Sequence, residues 1–117
     1  MYRQLFDQGR LQLIDGDDQE IRPGIRVYTG GKHTFASQYV GVRLASGMAI
    51  VASDNAYLYE NLERHRPIGQ TLDSLSNLAA QQRMLDMASR PELVVPGHDP
   101  AVFVRFGAER NGAVVVR

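Results

Sequence analysis

The chain has 117 residues, of which 44% are hydrophobic and 22% are charged, and its 13 basic and 13 acidic side chains give a formal net charge of zero. This size fits one small domain, residues 1–117, or part of a larger one. The balanced charge argues against binding to a nucleic-acid backbone or a membrane surface. Because there is no cysteine, disulfides and thiolate metal sites are excluded, and any metal must bind histidine, carboxylate or water. The sequence shows no secretory signal and no membrane-spanning run, which predicts a cytoplasmic protein.

The first half of the chain is typical of β structure. Short runs rich in β-forming residues predict strands at residues 11–14, 25–28, 38–44 and 48–53. Acidic residues at 15–20 predict a turn after the first of these strands. The run at 48–53 is apolar throughout, which is typical of a strand buried on both faces. Asp54 ends that run.

The second half changes to a helical period. Residues 56–63 predict a short helix or an irregular turn, and residues 71–89 predict the main helix, capped by Thr71 or Asp73. Of the apolar residues of this helix, Leu75, Leu78 and Leu85 are expected to pack against the sheet. The residues that keep near one face of the helix are Leu72, Leu75, Leu78, Ala79, Leu85 and Ala88. A second buried strand is predicted within residues 92–99. Two further apolar runs flank the turn predicted at Asn111-Gly112. The order of elements predicts an α+β fold, with a mixed sheet and one main helix.

Three residues with metal-ligand chemistry follow or precede predicted strands: His33, Asp54 and His98. Loops at strand ends are where ligands gather in α/β sheets. Each residue also has a simpler interpretation, since a lone loop histidine is usually solvated and an aspartate after a strand is usually a turn residue or a cap. Tyr57, three residues after Asp54, is as consistent with a half-buried aromatic residue as with a catalytic residue.

Taken in order, these stretches resemble the C-terminal half of a metallo-β-lactamase-fold hydrolase, closest to the N-acyl homoserine lactonases. "PGIRVYTGGKHTFASQYVGV" resembles the family's strand, glycine turn and third metal-binding histidine, although Lys32 interrupts the usual Gly-His pair. "IVASDNAYLYENL" resembles the strand that ends in the metal-bridging aspartate, and "LVVPGHD" resembles the strand that ends in the last histidine. The resemblance covers about residues 9–106.

The resemblance implies a mostly antiparallel or mixed sheet forming half of an αβ/βα sandwich around two divalent metals, expected to be zinc. His33 would complete the ligand set of the first metal, Asp54 would bridge both metals, and His98 would bind the second. Tyr57 matches the tyrosine that faces the substrate carbonyl. The implied activity is hydrolysis of a lactone, such as an N-acyl homoserine lactone, or of an ester by metal-bound hydroxide, as in quorum quenching.

The family's first signature, His-x-His-x-Asp-His, is absent from the sequence. The remaining histidine, His65, lies in a polar loop and is expected to be solvated. We therefore expect full activity to need the N-terminal half that carries this signature, and expect the chain to pair with that half or with itself as a dimer or other homo-oligomer. Two alternatives stay open: a truncated, inactive domain that acts through self-association or partner binding, and an enzyme of the same fold that hydrolyses thioesters or phosphodiesters.

Overall fold

Five strands form one mixed sheet in the order β1-β2-β3-β4-β5 in the computed structural model, which describes residues 2–107 and 111–117. The strands are β1 (Gln19–Arg22), β2 (Ile25–Thr29), β3 (Gln38–Leu44), β4 (Gly47–Ser53) and β5 (Val94–Pro96). The helices are α1 (Tyr2–Asp7), α2 (Tyr59–Glu63), α3 (Ser74–Met87) and α4 (Ala101–Phe106), with a short 3₁₀ helix at Pro91–Leu93. This architecture confirms the predicted α+β fold with a mixed sheet and one main helix.

The direction of β5 determines where the sheet brings side chains together. Strands β1 to β4 pair as antiparallel neighbours, whereas β5 returns after α2 and α3 to pair parallel with β4. Parallel strands end at the same edge of a sheet. The residues that follow β4 and β5 therefore lie next to each other.

The core lies between one face of the sheet and helices α2 and α3. Its buried members are Tyr28, Tyr39, Ile50, Ala52, Ala56, Leu62, Met84 and Val94. The rings of Tyr28 and Tyr39 stack with their centroids 5.2 Å apart. Met84 of α3 is fully buried in this core.

The expectation that Leu75 packs against the sheet is wrong, because its side chain is 80% exposed. Leu72 and Ala79 are also exposed, and Leu78 and Leu85 are only half-buried. The buried residues of α3 are Asn77, Ala80, Gln81 and Met84. The two amides are tolerated there because they hydrogen-bond to backbone groups of the loops beneath the helix. The predicted cap is confirmed at Asp73, whose carboxylate accepts from the Ser76 N–H at 3.0 Å.

The N-terminal region also departs from the sequence-based expectation. Residues 11–14 form no strand, and β1 begins within the segment predicted as an acidic turn. Asp17 and Asp18 account for the shift, since Asp17 accepts from the Thr29 N–H at 2.9 Å and Asp18 pairs with Arg26 at 2.6 Å. These contacts hold residues 17–18 against β2, and the chain then pairs with β2 as an edge strand.

The second face of the sheet carries a row of four valines, which we call the valine row. Val27, Val40, Val51 and Val95 stand directly opposite one another in consecutive strands. Val51 is 43% exposed, so the prediction that β4 is buried on both faces is wrong at this position. None of the helices in residues 2–107 and 111–117 has the length and hydropathy needed to cross a membrane.

Candidate metal centre

His33, Asp54 and His98 meet at one edge of the sheet. Asp54 follows β4, His98 follows β5, and His33 lies in the loop between β2 and β3. The Nε2 atom of His98 lies 2.7 Å from Oδ1 of Asp54, and the Nε2 atom of His33 lies 3.6 Å from Oδ2 of the same carboxylate. The structure thus brings the three residues together, and their role as metal ligands stays a prediction.

The backbone is unusual directly before each of the three residues. Lys32 and Ser53 have φ angles of 47° and 50°, in the left-handed region that side-chain-bearing residues rarely adopt. Gly97 packs so closely that a β-carbon would lie 2.7 Å from the Ser53 carbonyl oxygen. Strained or crowded backbone of this kind often gathers at functional sites, where the surrounding fold holds it in place.

Backbone hydrogen bonds join the end of β5 to the segment that follows Asp54. The Gly97 N–H donates to the Ala56 carbonyl at 2.9 Å, and the His98 N–H donates to the Tyr57 carbonyl at 2.9 Å. These two bonds fix the backbone of His98 relative to that of Asp54.

The orientation of the His33 ring is set by a backbone carbonyl. Its Nδ1 atom lies 2.7 Å from the carbonyl oxygen of Gln70. Because a carbonyl oxygen only accepts, Nδ1 carries the proton and the Nε2 lone pair faces Asp54 in the neutral ring. A lone pair facing a carboxylate oxygen is repulsive unless a proton or a cation lies between them. This pairing fits a divalent metal, since metal-bound histidines commonly donate their other N–H to a carbonyl.

Tyr57 lies between the two imidazoles. Its ring centroid is 5.9 Å from that of His33 and 5.0 Å from that of His98, with both contacts edge-on. The Tyr57 hydroxyl is 3.4 Å from Nδ1 of His33. The side chain is only half-buried, so a small molecule at the cluster can reach it.

Solvent reaches the cluster unevenly. The side chain of His33 is 21% exposed, that of Asp54 is 42% exposed and that of His98 is 61% exposed. An open cavity of about 380 Å³ adjoins His98 and extends along Asp99 and Pro100 to Phe103. The cluster is therefore open on the His98 side.

The ligand set formed by this chain is incomplete. Among residues 2–107 and 111–117, no group of three or more histidine, cysteine, aspartate or glutamate side chains is arranged to hold one metal ion. The contacts explain this, since the two histidines face different oxygens of Asp54 rather than a common point. Zinc usually takes four ligands, with imidazole and carboxylate among the preferred donors. His65 lies exposed in the loop after α2.

Two contributors to the cluster were missed by reasoning from the sequence. One is the Gln70 carbonyl, which carries no side-chain signal. The other is Asn55, a fully buried amide directly after Asp54. The only available signal for Asn55 was a polar residue following a buried strand, and that pattern is also typical of an exposed turn.

No family model matches the sequence, and no curated protein matches it. Solved structures nevertheless share the fold. One is an N-acyl homoserine lactone hydrolase with N-hexanoyl-L-homoserine bound at its catalytic metal centre, and another is a B. thuringiensis AiiA mutant with N-decanoyl-L-homoserine bound at the active site. Each has a TM-score of 0.65 and 20% identity over 77% of this chain and 36% of its own. A probable metal-dependent hydrolase from Staphylococcus aureus has a TM-score of 0.57 and 17% identity, over 67% of this chain and 28% of its own.

These similarities show that the chain has the metallo-β-lactamase type of fold, as the sequence motifs predicted. The chain spans about 36% of the length of the lactone hydrolases that it matches. The comparison therefore shows that this chain has the fold of one part of those structures.

Proposed function

We propose that the chain is part of a metal-dependent hydrolase, with His33, Asp54 and His98 as metal ligands. The observation that carries this proposal is the pairing of two imidazole Nε2 atoms with the two oxygens of one carboxylate. His33 would belong to one metal, His98 to a second, and Asp54 to both. The donor set of imidazole and carboxylate suits zinc, with the remaining ligands coming from a segment such as His-x-His-x-Asp-His.

A bound zinc pair would supply an activated water near neutral pH and polarise the substrate carbonyl. The chain's own residues have separate tasks. The Gln70 carbonyl holds the Nδ1–H of His33, which keeps Nε2 directed at Asp54. The Tyr57 hydroxyl, 3.4 Å from Nδ1 of His33, would donate a hydrogen bond to the oxygen that gains negative charge as the carbonyl is attacked.

The substrate that we propose is a lactone or a related ester, and in particular an N-acyl homoserine lactone. Structures of similar fold hold N-hexanoyl-L-homoserine or N-decanoyl-L-homoserine, which supports this class. The cytoplasmic location and the pairing with an N-terminal half or a second copy stay predictions.

The test combines metal content with hydrolysis, using the chain together with a segment that supplies His-x-His-x-Asp-His. Asp54→Asn should lose both metal and activity. Tyr57→Phe should keep the metal but lower kcat by roughly 10²–10³-fold, as loss of an oxyanion donor does. His65→Ala is the matched control and should change neither. An assembly that binds metal but hydrolyses only thioesters or phosphodiesters would replace the lactone assignment and keep the metal site.

A second candidate is an inactive domain that acts through self-association or partner binding. The accessible part of the valine row favours it, since Val51 is 43% exposed and Val40 and Val95 are half-buried, and apolar surface of this kind can form an interface. Two-fold pairing is the commonest arrangement of identical chains. Sedimentation should then show a dimer, Val51→Lys should dissociate it, and the chain should bind no metal with or without the added segment.

A further inference from the structure

Asn55 is a fully buried amide that directly follows Asp54, and both of its side-chain polar atoms are hydrogen-bonded. Its Oδ1 atom accepts from the Gly31 N–H at 2.7 Å and from the Ser37 hydroxyl at 2.9 Å. Its Nδ2 atom donates to the carbonyls of Gln38 at 3.0 Å and Ala52 at 2.8 Å. One side chain therefore joins the end of β4 to the loop between β2 and β3.

The two groups bound to Oδ1 bracket His33 in the sequence. Gly31 lies two residues before it and Ser37 four residues after it, and the Gly30 N–H closes the same loop on the Ser37 carbonyl at 2.7 Å. A β-carbon at Gly30 would collide with the Asn55 amide. The loop that carries His33 thus rests directly on Asn55.

Helix α3 holds Asn55 in turn. The backbone carbonyl of Asn55 accepts from Nδ2 of Asn77 at 3.0 Å and from Nε2 of Gln81 at 3.2 Å. Both donors are fully buried, so competing water does not reach them. These bonds explain why α3 buries two amides where the apolar pattern predicts leucines.

We propose that Asn55 is a positioning residue that sets the separation of His33 from Asp54. His98 does not depend on it, because its backbone is fixed through Ala56 and Tyr57. The inference about the placement of His33 rests on these contacts alone, and its consequence for metal binding rests on the proposed function.

The first experiment is nuclear Overhauser spectroscopy of the full chain without metal. Asn55→Ala removes the acceptor of the Gly31 N–H and the side-chain donor to the Gln38 carbonyl, so the loop should move. The contact between the His33 and Tyr57 rings should be lost, while the contact between Tyr57 and His98 should remain. Met84→Ala is the control: it weakens the core without touching the loop, and both contacts should remain.

Ser37→Ala is the milder variant, because it removes one of the two hydrogen bonds to Oδ1. It should weaken the contact between His33 and Tyr57 without removing it, and it decides the question if Asn55→Ala does not fold. The inference is overturned if both variants keep this contact at full strength. It is also overturned if a folded Asn55→Ala chain loses both ring contacts, since the effect would then be general.

The second readout is zinc affinity in the assembly that carries the His-x-His-x-Asp-His segment. Asn55→Ala should weaken it by roughly 10–100-fold, as the loss of residues that orient metal ligands does. An unchanged affinity would overturn the proposed consequence. If the parent assembly binds no zinc, the proposed function fails, while the ring contacts still test the positioning role.

Discussion

Replacing Met84 with alanine should be one of the most destabilising single changes in helix α3, whereas the same change at Leu75 should have little effect. Met84 is fully buried against the sheet, and Leu75 is 80% exposed. Truncating a buried methionine to alanine costs about 2–5 kcal/mol, from the lost transfer energy and the cavity left behind. Truncating Leu75 should change the free energy of unfolding by less than about 0.5 kcal/mol. Leu78, which is half-buried, should fall between them.

The assay is urea denaturation of the three variants, with unfolding monitored by circular dichroism. Since small domains are stable by about 5–15 kcal/mol, the Met84→Ala midpoint should fall clearly, with the dependence of free energy on urea unchanged. A Leu75→Ala variant as unstable as Met84→Ala would mean that α3 packs on the face that its leucines predict. A Met84→Ala variant as stable as the parent would contradict the core described above.

Three further predictions concern the loop, a buried tyrosine and the helix cap. Gly31→Ala places a β-carbon 2.6 Å from the Cα of Asn77. Because that neighbour is a backbone atom, the loop that carries His33 must shift, and the zinc affinity of the assembly should fall. An unchanged zinc affinity would argue against close packing of this loop on α3. Burial raises the pKa of Tyr39 to about 12. The contribution of Tyr39 to the free energy of unfolding is therefore fully present below pH 10 and should decline by up to roughly 3 kcal/mol as the pH rises towards 12. Tyr39→Phe should flatten that decline in denaturation measured from pH 8 to 12, and an unchanged slope would assign it to other groups. Asp73→Ala removes the acceptor of the Ser76 N–H at the start of α3 and should lower the free energy of unfolding by about 1 kcal/mol. An unchanged urea midpoint would show that this cap does not stabilise the helix.

The strands nearest the site were predictable because their residues are both β-forming and apolar. Residues 38–44 were predicted as a strand with the bounds that β3 has, and β4 begins one residue earlier than predicted. That His33, Asp54 and His98 meet was predictable because all three lie in strand-end motifs that the resemblance assigns to one metal site.

The helix face was not predictable from its apolar residues. Asn77 and Gln81 are buried because they bind groups more than eight residues away in the chain, and hydrophobic periodicity carries no information on such partners. The same reason hid Asn55, whose partners lie in β4 and in the distant loop of His33. Strand β1 was missed because it is an exposed edge strand, stabilised by the ion pair of Asp18 with Arg26.

The measurement that tests the central claim most directly is a zinc titration of the assembly that carries the His-x-His-x-Asp-His segment, monitored by nuclear magnetic resonance of the three histidine rings of this chain. The proposed site predicts that the signals of His33 and His98 shift together, with a Kd of about 1 mM or tighter, while His65 does not respond. Asp54→Asn should abolish both shifts. If neither ring responds in that range, or if His65 responds equally, then His33, Asp54 and His98 do not form a metal centre.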